Sequence, residues 1–121
     1  MVKYTIDETK RVVVAEMTGC EMDVHHRLKK RINGLMDITS VSSKSIISKS
    51  YRATAKCHPD DTFDPEVGKA IAKNRLLNKY NEACIKACKR VEDEIHRLQV
   101  GAYDVLDSQI NHMLKNFKKY N

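Results

Sequence analysis

The chain has no tryptophan, only two phenylalanines and two prolines, and four glycines in 121 residues. So few aromatics argue against a surface that stacks many bases of a nucleic acid. No apolar run approaches the roughly 20 residues that a membrane helix needs, and no membrane span is expected. The opening "MVKYTIDETK" has no apolar stretch after its charge, so it does not read as a secretory signal. Cys20, Cys57, Cys84 and Cys88 do not space as a disulfide framework and are read as reduced thiols, which makes a cytoplasmic location the expectation. No CxxC, no GxSxG, no phosphate loop and no dinucleotide glycine pattern occurs. Internal repeats are lacking too, and the nearest thing to low complexity is a mild Ser/Lys bias from Ser42 to Ser50.

What is present fits one domain, residues 1–121. At 41% hydrophobic and 31% charged residues the chain has material for a core and a solvated surface. Its formal net charge of +6 favours an anionic partner, whether nucleic acid, nucleotide or phosphate.

Val2, Tyr4 and Ile6 alternate with Lys3 and Thr5, "DETK" is a polar turn, and "RVVVAEM" is β-branched, so the first 17 residues read as an antiparallel hairpin. Val24, Leu28, Ile32 and Leu35 then fall on one helical face, with Asp23 near its start and Gly34 as a stop. The opposite face carries Arg27, Lys30 and Arg31, which reads first as a solvated face. Asp37 to Cys57 reads as strand, broken by a turn near Ser42-Ser43-Lys44, with Ile47, Tyr51, Ala53, Ala55 and Cys57 inward and Arg52, Thr54 and Lys56 as a basic ladder outward.

"HPDDTFDP" (His58 to Pro65) is a loop, and Asp64-Pro65-Glu66 is a helix start, with Asp as N-cap and Pro at the first helical position. From Glu66 on, Leu77, Tyr80, Cys84, Cys88, Val91, Ile95 and Leu98 form a stripe that resumes at Leu106, Ile110, Met113 and Phe117 after a break or bend at Gly101. The expected class is therefore α+β: a small antiparallel sheet with one short helix (residues 1–65), followed by long C-terminal helices (66–121). A helix of about 33 residues runs roughly 50 Å, more than this sheet can cover. A homodimer through the long helices is expected, against a helical hairpin closed on itself.

Four constellations bear on chemistry. Cys57-His58 with Cys84 and Cys88 offers four soft ligands, but Cys84 and Cys88 lie on the apolar stripe, where cysteine packs as a small hydrophobe, so zinc is not expected. His25 and His26 point about 100° apart and do not form a chelating pair, and His96 and His112 lack a matching pattern. His58 with Asp60, Asp61, Asp64 and Glu66 resembles an acid–base cluster, yet helix initiation and turn formation explain these acids, so no enzyme and no cofactor are expected. The basic strand face and the Arg27 cluster suit phosphate tracking, but the junction is acidic where a phosphate-binding helix N-terminus would be bare, which weighs against nucleic acid. A nucleotide needs cations for its phosphates, a ring or guanidinium for its base, and carboxylates or amides for its hydroxyls, and the surroundings of Phe63 hold all three. Phe63 itself reads either as a hydrophobic staple of the helix or as a ring that stacks on a ligand.

The block from Arg52 to Arg75, "RATAKCHPDDTFDPEVGKAIAKNR", resembles a motif of small phage- and prophage-encoded proteins, and the whole layout is similar to the phage Thoeris anti-defence 1 family. That resemblance implies a sponge in the cytoplasm of an infected bacterium. Such a protein binds a cyclic ADP-ribose isomer made by TIR-domain enzymes and keeps it from its effector without cleaving it. It implies dimers with recessed pockets beside the helices, and in some relatives cyclic oligonucleotides held at a second site in a higher oligomer such as a hexamer. By the same resemblance Phe63 stacks on the base, Asp64 contacts base or ribose, Asn74 and Arg75 face the pocket, and Arg90, or equally Lys89, meets a phosphate from the same or a partner subunit. Arg52 and Lys56 are added from the strand pattern alone. The alternative expectation is a nucleic-acid-binding or nuclease-inhibiting phage protein of the anti-CRISPR kind.

Overall fold

The computed structural model describes residues 1–32, 34 and 39–120. β1 (Val2–Asp7) and β2 (Val12–Thr18) pair antiparallel, with Val2 opposite Met17 and Asp7 opposite Val12. The Lys10 N–H donates to Asp7 Oδ1 at 2.9 Å and closes the turn. Arg11 leaves the turn with φ at 57°, a left-handed conformation that costs a non-glycine residue roughly 1–2 kcal/mol. It is held there from across the sheet. Its carbonyl accepts the Cys57 N–H at 2.9 Å, and its guanidinium donates to the Pro59 carbonyl at 2.9 Å.

α1 (Asp23–Arg31) buries Val24 and His25 and gives way to extended backbone at Ile32. It therefore stops before Gly34, which has a φ of 84°. Leu35, expected on the same face, lies outside the described residues, as do Asp37 and Ile38.

The first half of the expected strand after α1 is instead a helix, α2 (Thr39–Lys44). Val41 is fully buried against Val91. Ser43 Oγ donates to the Ser40 carbonyl at 3.0 Å, and Ser45 Oγ to the Ser42 carbonyl at 2.7 Å. Serine hydroxyls satisfy local carbonyls here, so a stretch that reads as β-prone by composition closes into a turn of helix. The His25 Nδ1–H then donates to Ser45 Oγ at 2.8 Å, because that hydroxyl's own proton is already committed.

β3 (Ser50–Lys56) adds to the open side of β2, giving the order β1-β2-β3, with Ala53 opposite Ala15 and Lys56 opposite Val12. The expected alternation is observed: Ala53 and Ala55 are buried, while Arg52, Thr54 and Lys56 are exposed.

α3 (Pro65–Tyr120) is one helix of 56 residues, about 84 Å long. Asp64 caps it: its Oδ1 accepts the Glu66 N–H at 3.0 Å and its carbonyl accepts the Gly68 N–H. The expected break at Gly101 does not occur. An interior glycine costs a helix about 1 kcal/mol relative to alanine, too little to end a run of good helix formers on both sides.

The first turns of α3 lie across the inner face of the sheet. Ala72 and Leu76 join Val13, Ala15, Ala53 and Ala55 in one core cluster. Small residues on both sides let the backbones approach. At Gly68 an added Cβ would stand 2.6 Å from Val13 Cγ2. The buried line on α3 is Ala72, Leu76, Cys84, Ala87, Val91 and Glu94, so it shares Cys84 and Val91 with the expected stripe and leaves Cys88, Ile95 and Leu98 exposed. The domain grips one edge of a broad apolar face. From Ile95 to Tyr120 every residue is exposed. Among the described residues no helix is long and apolar enough to cross a membrane.

Candidate ligand site

The junction between β3 and α3 forms a cleft of about 430 Å³. This falls within the range of roughly 300–1,000 Å³ common for small-molecule sites. Its floor is apolar: Phe63, Val67 and Ile71, the last two one turn apart at the start of α3. Lys56, His58 and Asp61 stand at its polar edge.

The loop that makes this edge is fixed by hydrogen bonds. The Asp61 N–H donates to the His58 carbonyl at 3.0 Å. His58 Nδ1 accepts the Asp60 N–H at 3.1 Å, which leaves Nε2 as the protonated nitrogen of the neutral ring. Arg11 holds the same loop through the Pro59 carbonyl and a 3.4 Å contact to Cys57 Sγ. Arg11, Val67 and Ile71 were missed in the sequence reading. The legible signal was two apolar residues, Val67 and Ile71, at i and i+4 in the first turns after the N-cap.

Phe63 stands where the core meets the cleft. The ring is half-buried and packs against the core cluster of Val13, Ala55 and Leu76, and it also lines the cleft. Asp64 lines the cleft too, with one carboxylate oxygen committed to the helix cap. Lys56, Phe63 and Asp64 are thus brought together.

The other expected site residues are not in this cleft. Arg52 pairs with Glu16 across the strands at 3.5 Å. Arg75 donates to the Thr54 carbonyl at 2.8 Å, and Lys79, one turn on, to the Arg52 carbonyl at 2.7 Å. These two cations cover carbonyls on the outer edge of β3, which shields an edge strand from further pairing. Asn74, beside Arg75, is exposed on α3. Lys89 lines a separate groove of about 650 Å³ between α1 and α3, beside Arg27, Tyr80 and Cys84. Arg90 lines a third, of about 390 Å³, with Tyr51, Ile47 and Lys86. Along α3, Arg90 is about 38 Å from Asp64, so within one chain the two do not meet.

Two of the four thiols, Cys20 and Cys84, are buried. Burial pushes the Cys20 thiol above its ordinary range, and Glu21 and Asp23 add to this. Burial likewise raises Cys84, against the lowering effect of the Arg27 guanidinium, whose Nη2 lies 3.8 Å from Sγ. The shift in both favours the protonated thiol, the less nucleophilic form. Among the described residues no group of three or more His, Cys, Asp or Glu is arranged to hold a metal. Asp23 is also spoken for, bonded to the Tyr80 hydroxyl and to Arg27.

No protein-family model, curated protein or solved structure matches the chain.

Proposed function

We propose that the chain binds and holds a small cyclic nucleotide, of the cyclic ADP-ribose type, in the β3–α3 cleft and does not cleave it. The observation that carries this reading is the cleft itself. An aromatic ring, an apolar floor and a cationic and acidic edge converge on about 430 Å³ at the junction the sequence singled out. In this reading Phe63 offers a face to the base, Lys56 and His58 meet the pyrophosphate, and Asp61 with the free oxygen of Asp64 accepts from ribose hydroxyls. Arg75 and Lys79 support the cleft indirectly, by fixing β3 against α3 through backbone carbonyls. A sponge acts stoichiometrically, so affinity matters more than rate. A dissociation constant near 1 nM corresponds to about −12 kcal/mol, within reach of stacking plus a few charge-assisted hydrogen bonds in a preformed pocket.

Titration calorimetry against a panel of cyclic ADP-ribose isomers and cyclic dinucleotides tests this. One ligand per chain is expected, recovered intact after heat denaturation. Phe63→Ala is expected to weaken binding at least tenfold, or about 1.4 kcal/mol. Arg90→Ala, in a separate groove, is expected to leave affinity within about twofold, a change of under 0.5 kcal/mol. A cleaved product, or no binding by any member of the panel, overturns the proposal. If Phe63→Ala lowers the melting temperature and leaves affinity unchanged, the ring is only a staple. Tight, salt-sensitive binding to random duplex would instead favour the nucleic-acid alternative.

A further inference from the structure

Arg11 holds a left-handed backbone, φ 57°, that glycine would adopt without strain. An arginine kept in that conformation points to a task for its side chain. Its contacts name the task. Nη1 donates to the Pro59 carbonyl at 2.9 Å, and Nη2 lies 3.4 Å from Cys57 Sγ. Both contacts land on the segment that runs from the end of β3 into the polar edge of the cleft.

The Pro59 carbonyl and the Asp60 N–H belong to one planar peptide unit. Its carbonyl accepts from Arg11, and its N–H donates to His58 Nδ1 at 3.1 Å. A cation on the carbonyl polarises the peptide and strengthens its N–H as a donor. With Nδ1 filled as an acceptor, the proton of the neutral ring sits on Nε2. His58 lines the cleft, as does Lys56. We propose that Arg11, taking the β3–α3 cleft as the ligand site, is a positioning residue: through the Pro59–Asp60 peptide it keeps His58 as an Nε2–H donor for a phosphate oxygen of the ligand.

The charged groups around the ring leave this role to Arg11. Asp60 Oδ2 stands 3.6 Å from Nδ1 and draws a proton onto that nitrogen, which is the opposite tautomer. Lys56, Asp61 and Asp64 line the same cleft, but among the described residues none of their side chains bonds to the ring. The tautomer is therefore a competition at Nδ1 between the N–H and the carboxylate of Asp60, and Arg11 weights it toward the N–H. In the losing tautomer Nε2 turns a lone pair to the phosphate and repels it.

Two variants suited to the left-handed backbone, Arg11→Gly and Arg11→Asn, remove the guanidinium and keep the fold. In the ligand-free chain at about pH 8.5, ring-nitrogen chemical shifts of His58 are expected to move from the Nε2–H pattern to a mixture of tautomers. The Asp60 amide is expected to exchange faster by about threefold or more, while amides of β2 and β3 keep their rates. With a cyclic ADP-ribose isomer that the native chain holds, calorimetry is expected to show about fivefold weaker binding for Arg11→Gly, the effect of one lost hydrogen bond. In a His58→Ala background the same change is expected to cost nothing further, because Arg11 acts through that ring. A His58 ring that stays Nε2–H in both variants overturns the proposal. So does full additivity of Arg11→Gly with His58→Ala, or faster exchange throughout β2 and β3, which would make Arg11 a prop of the sheet. Absence of binding by every isomer strikes the ligand assignment alone, and the shift and exchange measurements still decide whether Arg11 sets the His58 tautomer.

Discussion

Gly68 shows most directly how a single residue sets the site. It sits in the first turns of α3, where helix and sheet touch, and Val13 beneath it is fully buried. A methyl group there would stand 2.6 Å from Val13 Cγ2 and 3.3 Å from Val13 Cβ. Gly68→Ala gains up to about 1 kcal/mol of helix propensity but forces apart a packed contact at about 1–3 kcal/mol. Overpacking is expected to win, because Val13 is fully buried and the clash is with its branched Cγ2, not the end of a long flexible side chain. Urea unfolding is expected to show a net loss of up to about 2 kcal/mol for Gly68→Ala. Adding Val13→Ala removes the clash, so the double variant should lose less than the two single losses added together. Equal additivity would mean that the helix shifts freely on the sheet. Gly68 also lines the cleft, so its smallness fixes both the seating of α3 and the position of Val67 and Ile71.

At the scale of elements, the sequence made some features readable and hid others for physical reasons. The β1–β2 hairpin, the outward ladder of Arg52, Thr54 and Lys56, and the Asp64-Pro65 start of α3 were legible because each rests on local period or capping chemistry. The cleft was legible as a place, through Phe63 and its acids, but not as a composition: Arg11 reaches it from 48 positions away to hold Pro59. α2 was not legible, because its cause lies on α3. Glu94 is 9% exposed and accepts from Ser40 Oγ at 3.4 Å and Arg97 Nη2 at 2.8 Å, with Lys44 Nζ at 3.8 Å. These contacts, with Val41 packed on Val91, override the β preference of the segment. Glu94→Ala is expected to cost about 1–2 kcal/mol, discounted because Lys44 and Arg97 are partly solvated, and to speed amide exchange at residues 40–44 before the sheet opens. Glu94→Gln should keep the Ser40 bond and lose less. Unchanged exchange in α2 would show that Val41 alone holds it.

The whole molecule is a small domain gripping the first half of a helix whose second half projects beyond it. Burial on α3 ends at Glu94, so the two halves are stabilised by different things. Residues 72–91 are held by the sheet, α1 and α2, and their protection is a property of one chain. Among the described residues nothing packs against the apolar stripe of residues 98–118; in the homodimer that the sequence leads one to expect, their protection would come from association, which mass action makes concentration-dependent. Hydrogen exchange should separate the two. On dilution, amides of residues 98–118 are expected to lose protection as the two-chain mass disappears, while those of 72–91 and of β2 keep theirs. The cleft lies wholly in the first half, so ligand affinity should stay constant across the same dilution. A chain that binds its ligand only when assembled, or whose distal helix stays protected when dilute, would contradict this division. The first result would tie the cleft to the partner, and the second would mean that the distal helix is covered by its own domain.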